Sequence, residues 1–236
     1  MKLIKNKILI FALVIISSSF FLSACGKKSE TIKNPSNGKT AVVTTLELSD
    51  SEKPYISLIP RADGHELKLK IDGIPSKIKE IEYELIYTAS DNNLEIEKGV
   101  GDTIKDISKN IERDLLLGTS SCTNGCKYKY DEGITGGTLS LTFNTDDNQS
   151  ITYETQFSLK NSAEIKKDGG LSLSTENLTI KATTTTKNDF FTVIKNFKPV
   201  YSVFSSGNGS GKVSSISPNN VSKDNSSLIS GDYSIN

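Results

Sequence analysis

Four stretches of this chain alternate apolar and polar residues with a period of two, and that alternation limits the fold more than any other feature. Glu66–Ile71 (ELKLKI) sets Leu67, Leu69 and Ile71 on one side and Lys68 and Lys70 on the other. Glu80–Tyr87 groups Ile81, Tyr83, Leu85 and Tyr87 against Glu82 and Glu84. Thr138–Phe143 aligns Leu139, Leu141 and Phe143, and Ile151–Leu159 aligns Ile151, Tyr153, Thr155, Phe157 and Leu159. A strand with one buried and one wet face reads this way. The last two runs flank Asn144–Ser150, rich in turn formers, which predicts a hairpin. Several such strands within about 110 residues predict an all-β, antiparallel two-sheet sandwich of immunoglobulin or fibronectin type. The chain has no tryptophan and only three cysteines, so the Cys…Trp…Cys pattern of antibody domains is absent and the label is architectural.

The rest of the chain divides by composition. Asp102–Leu117 hints at a turn or two of helix, with Ile104, Ile107 and Ile111 at spacings of three and four between Gly101 and Gly118. Within 161–204 lie strand-like pieces (LSLS, NLTIKATTTT, FFTVIKNFKPVYSVF), too small for a core of their own. They should join the main sandwich (53–160) or form an appended sheet. From Ser205 to the end, Ser, Asn and Gly dominate, which reads as a flexible tail. Residues 25–52 read as a polar tether, in which Ala41–Leu48 is β-prone and is either tether or first strand.

The first 24 residues read as an export signal. Lys2, Lys5 and Lys7 precede an apolar run, Ile8–Leu22, of 15 residues, shorter than the roughly 20 a membrane-spanning helix needs. Leu22-Ser23-Ala24-Cys25 resembles the lipobox of bacterial lipoproteins. The resemblance covers about thirty residues and implies cleavage before Cys25, whose thiol then carries diacylglycerol, with an amide-linked acyl chain implied on its amino group. Two or three acyl chains anchor firmly where one is marginal. An extracytoplasmic protein on the cell membrane or outer membrane is therefore expected. Without the signal, 212 residues remain with a formal charge of −3, which lacks the basic footprint of a nucleic-acid binder.

Export bears on Cys122 and Cys126. Outside the cytosol disulfides persist, and the intervening Thr-Asn-Gly contains the strongest short hairpin-turn signal. A structural disulfide at the tip of a hairpin from Leu115–Leu117 to Lys127–Tyr130 is expected, at about 2 kcal/mol by loop entropy. Reversible thiols and a metal are the rivals; zinc needs four suitable ligands, and His65 is the only histidine. The segment Asp114–Phe143 also resembles a stretch in uncharacterised exported β-rich proteins of small-genome bacteria, a resemblance that carries no activity with it.

Catalytic patterns are scarce. His65, in ADGHELK, reads as a turn residue and has no partner pattern for nucleophilic catalysis. Gly133–Gly137 (GITGG) lacks the lysine and helix of a phosphate loop. Asp146-Asp147-Asn148 lacks the spacing of a calcium loop and reads as a hairpin tip. Tyr83, Tyr87, Tyr128, Tyr130 and Tyr153 form either an aromatic contact patch or ordinary sheet residues. The expectation is a non-catalytic, lipid-anchored envelope protein with a binding or structural role, without cofactor, metal or catalytic residue. A protein or glycan is its possible partner. The alternative is an envelope-polymer hydrolase using paired carboxylates.

Overall fold

A computed structural model describes residues 44–91 and 94–236; the expected signal, Cys25 and the expected tether up to residue 43 lie outside the described residues. The chain is an all-β antiparallel sandwich with added C-terminal strands. A nine-stranded sheet forms its spine. In spatial order it runs β16 (Val221–Ser222), β17 (Gly231–Ile235), β14 (Val200–Ser205), β13 (Phe190–Lys195), β10 (Gln149–Asn161), β9 (Gly136–Thr145), β4 (Ile78–Asp91) and β5 (Leu94–Ile104). The short β1 (Thr44–Thr45) adds in parallel to the start of β10.

The period-two runs behave as their alternation requires. β4, β9 and β10 bury the predicted faces: Ile81, Leu85, Leu139, Leu141 and Phe143 are fully enclosed. The predicted β9–β10 hairpin forms, with Leu141 opposite Tyr153. Over this face lies a second sheet, β2 (Tyr55–Pro60), β3 (Glu66–Asp72) and β6 (Asn110–Leu116). Leu58, Leu67, Leu69, Ile71 and Leu115 complete the first core.

The other end of the spine is covered by a third sheet, β11 (Gly170–Leu173), β12 (Leu178–Thr184) and β15 (Gly211–Ser217). Its core holds Leu171, Ile180, Val213, Ile229 and Tyr233. β13 faces both cores: Phe191 and Val193 point into the second, whereas Ile194 joins the first and the Thr192 hydroxyl donates to the Leu58 carbonyl. The two sandwiches therefore lie on opposite faces of one sheet.

Asn196 closes the seam. It is buried, its Oδ1 accepts from Ile56 N (3.1 Å), and its Nδ2 donates to Ile56 O (2.7 Å). One amide thus satisfies a backbone group pair on the edge of β2 that faces away from β3.

Three expectations are corrected. Asp102–Leu117 contains no helix: Ile104 ends β5 and Ile111 sits in β6, so their helical spacing spans a loop between two strands. The flexible tail from Ser205 is instead β15, β16 and β17, held by Val213, Val221, Ile229 and Tyr233. Each strand buries only one large side chain among mostly small and polar neighbours, so the composition conceals it. The polar tether ends before residue 52, because Leu46 and Leu48 are in the first core. One helix, α1 (Ser162–Asp168), was not expected. Its signals are a capping box between Asn161 and Glu164 and a left-handed Gly169 at its end.

Candidate functional site

β4 and β5 pair outward until Asp91 stands opposite Leu94. Beside this tip projects a separate two-stranded arm, β7 (Gly118–Cys122) and β8 (Cys126–Tyr130). Every arm residue except Gly118 is exposed. What holds so bare a hairpin together is local. Cys122 and Cys126 stand opposite each other and are disulfide-bonded, Sγ to Sγ 2.16 Å. Gly125 supplies the turn with a φ of +97° that side-chain-bearing residues rarely adopt. At the base, a Cβ on Gly118 would lie 2.3 Å from the Lys129 carbonyl oxygen, so only glycine fits.

The arm is rooted by an ion pair between a half-buried lysine and a buried carboxylate. Asp131, whose side chain is 6% exposed, accepts from Lys98 Nζ at 2.5 Å through Oδ1 and from the Tyr87 hydroxyl at 2.8 Å through Oδ2. Burial, then the Asp131 carboxylate, pushes the Tyr87 hydroxyl above its ordinary value, so it remains a donor. Lys98 belongs to β5 and Tyr87 to β4, so the hairpin tip and the arm share this root.

Aromatic rings line the arm. Tyr130 stacks on His65 (centroids 4.3 Å, planes 8° apart) and lies parallel to Tyr128 (6.0 Å, 7°). The Arg61 guanidinium sits 5.7 Å from the Tyr130 ring centre and is held by Asp63 (2.8 Å) and Glu66 (3.1 Å). A depression of about 250 Å³ opens between Ser90, Ile96, Lys98, Lys129, Tyr130 and Glu132. Among the described residues, the exposed large hydrophobic side chains are Leu94 (68%), Ile96 (38%), Tyr128 (54%) and Tyr130 (37%). All four belong to these two hairpins.

The other candidates disperse. His65 is a stacking ring on the β2–β3 turn. Asp146-Asp147-Asn148 is the β9–β10 turn, with Asn148 left-handed (φ +56°). Gly133 is left-handed (φ +69°) in the loop before β9, and Gly136 and Gly137 enter β9. Tyr83, Tyr87 and Tyr153 are core, so the five tyrosines divide between interior and surface. Glu82 and Glu84 sit two residues apart on one strand and line an open groove of about 570 Å³ with Ser140, Thr142 and Asp102. They share one wall instead of facing each other. Among the described residues, no group of three or more His, Cys, Asp or Glu is placed to hold a metal, and no helix is long and apolar enough to cross a membrane.

Leu94, Ile96, Arg61, Lys98 and Asp131 were not singled out from sequence. A signal existed for two of them: in DNNLEI, a turn is followed at once by alternating apolar residues. The Lys98–Asp131 pair, 33 residues apart, leaves no local trace. No protein-family model, curated protein or solved structure matches the chain.

Proposed function

We propose that this protein is a non-catalytic, lipid-anchored component of the bacterial envelope that binds a partner through the end bearing the disulfide arm. The observation that carries this reading is the gathering of exposed Leu94, Ile96, Tyr128 and Tyr130 onto two adjoining hairpins. Clustered apolar surface with aromatic anchors is what interfaces use. The path of the chain agrees with it. Thr44 pairs with Gln149 beside the β9–β10 turn, level with the start of β4, whereas the exposed tip lies at the far end of β4. Fourteen residues of strand separate them by about 40 Å. A chain tethered at Cys25 would enter at one end and offer the other to its surroundings.

Two measurements test this. Cells fed an alkyne-tagged fatty acid should label the wild type and not Cys25→Ser, and the variant should leave the membrane fraction. An unlabelled, soluble wild type would overturn the anchor. A photocrosslinker at Tyr128 on intact cells should form discrete adducts that one at Lys181, on β12, does not. Identical adducts from both positions would remove the binding end.

A further inference from the structure

β5 closes one end of the nine-stranded sheet and pairs only with β4. Its eleven residues follow a single register from Leu94 opposite Asp91 to Ile104 opposite Ile81, without a bulge or a proline. In an antiparallel ladder every second residue exchanges hydrogen bonds with its neighbour, and the residues between turn their N–H and C=O away. Counting from the pair that closes the hairpin, Glu95, Glu97, Gly99, Gly101 and Thr103 present theirs to solvent. Long open edges are usually blunted by proline, bulges or charged side chains pointing inward. Here the inward side of the strand carries two charges, Lys98, already held by Asp131, and Asp102, whose carboxylate accepts from the neighbouring Thr103 N–H.

We propose that the free edge of β5 is a docking lane for an extended peptide segment that adds a tenth strand, with cationic side chains on one face and apolar ones on the other. This rests on the binding reading above and names the chemistry of the partner.

The two faces dictate that alternation. The residues with outward amides carry their side chains to the outer face of the sheet, where Glu95 and Glu97 lie toward the hairpin tip and Glu82 and Glu84 lie farther along, opposite Thr103 and Gly101. Gly99 and Gly101 add no side chain there, which opens the groove over the backbone. The carboxylates lining the groove on this face are Glu82 and Glu84, and no lysine or arginine lines it, so a positive side chain of the incoming strand is matched in charge. On the other face, Leu94 and Ile96 extend beyond the first core and remain exposed, with Lys98, Val100 and Asp102 following along the strand, so the alternate side chains of that strand meet apolar surface at the tip end. Backbone pairing supplies affinity and the alternating faces supply selectivity, as in other strand-addition complexes.

The test uses the full chain in detergent and a capped peptide of four Lys-Val repeats. Amide exchange should slow at Glu95, Glu97, Gly99, Gly101 and Thr103 when the peptide is added. The same peptide N-methylated at alternate residues keeps its charge and apolar face, and should bind at least ~10-fold more weakly, a loss of ~1.4 kcal/mol. Gly99→Pro blocks an outward N–H without removing a bond to β4, and should abolish protection while the unfolding midpoint holds. Should that variant misfold, Glu95→Lys with Glu97→Lys is the second probe and should transfer preference to a Glu-Val peptide. Equal binding of the N-methylated peptide, protection confined to the arm, no binding at all, or a β5-mediated dimer of this chain would each overturn the proposal. If the peptide fails while Tyr128 still crosslinks on cells, only the docking lane is lost. An unlabelled Cys25 would instead strike the anchor and leave the peptide result standing.

Discussion

The two cores of this protein are built on opposite faces of one sheet and from different kinds of sequence. The first draws on long strands whose apolar residues recur at every second position, as in β4, β9 and β10. The second joins an alternating strand, β12, to isolated large residues in polar surroundings on β15, β16 and β17. Val213 in GKVSSIS and Tyr233 in GDYSI are each the one fully or nearly fully buried large side chain of their strand. A Ser- and Gly-rich strand can therefore be as firmly placed as an alternating one, provided a neighbouring sheet supplies the rest of the apolar surface.

The largest effect that would break this comparison is the loss of a second-core anchor. Tyr233→Ala removes a fully buried ring and its hydroxyl bond to Ile229 O (2.7 Å), and should cost about 3–5 kcal/mol. Because β13 faces both cores, amide exchange at Leu139 and Leu141 in the first core should accelerate with it. First-core exchange at the wild-type rate would mean the halves unfold separately.

Next comes the seam. Asn196→Ala leaves the N–H and C=O of Ile56 without their partner and should cost about 1–3 kcal/mol. Urea unfolding followed by tyrosine fluorescence would measure it, and Asn196→Asp should recover less than half because it restores the acceptor alone.

A smaller change is expected at the arm. Cys122→Ser with Cys126→Ser should lower overall stability by less than about 2 kcal/mol, since the arm is exposed along nearly its whole length. Faster exchange should be confined to residues 118–130.

The smallest effect is electrostatic. Lys77 and Ser49 hold the exposed Glu52 carboxyl down at about 2 beside the first core, and Lys160 lowers Asp168 beside the second. The unfolded chain takes up protons at the ordinary carboxylate range while the folded one does not. Their contribution is thus present above about pH 4.5 and is lost as the pH falls toward 2. Unfolding midpoints between pH 5 and 2 should fall, and Glu52→Gln should flatten part of the slope.

Legibility followed the same division. The faces of Glu66–Ile71, Glu80–Tyr87, Thr138–Phe143 and Ile151–Leu159 could be read directly, because period two is a local property. The Cys122–Cys126 bond was readable from a turn motif for the same reason. The second core was readable only in part: the strand-like pieces of 161–204 became β11 to β14, but Val213, Val221, Ile229 and Tyr233 are too far apart to form a pattern. The isoleucines of 102–117 misled because helical spacing arose by chance across a loop. At the candidate site, Tyr128 and Tyr130 were visible as an alternating pair. Their stacking on His65, and the rooting of Asp131 on Lys98 and Tyr87, depend on contacts between distant segments.

The position of β13 has a practical consequence. Phe191 and Val193 look one way and Thr192 and Ile194 the other, so any cut that separates the halves strips a greasy surface from whichever fragment keeps this strand. Deletion mapping would then measure clumping and proteolysis. Roles within this molecule are better assigned by single-residue exchanges in the intact polypeptide.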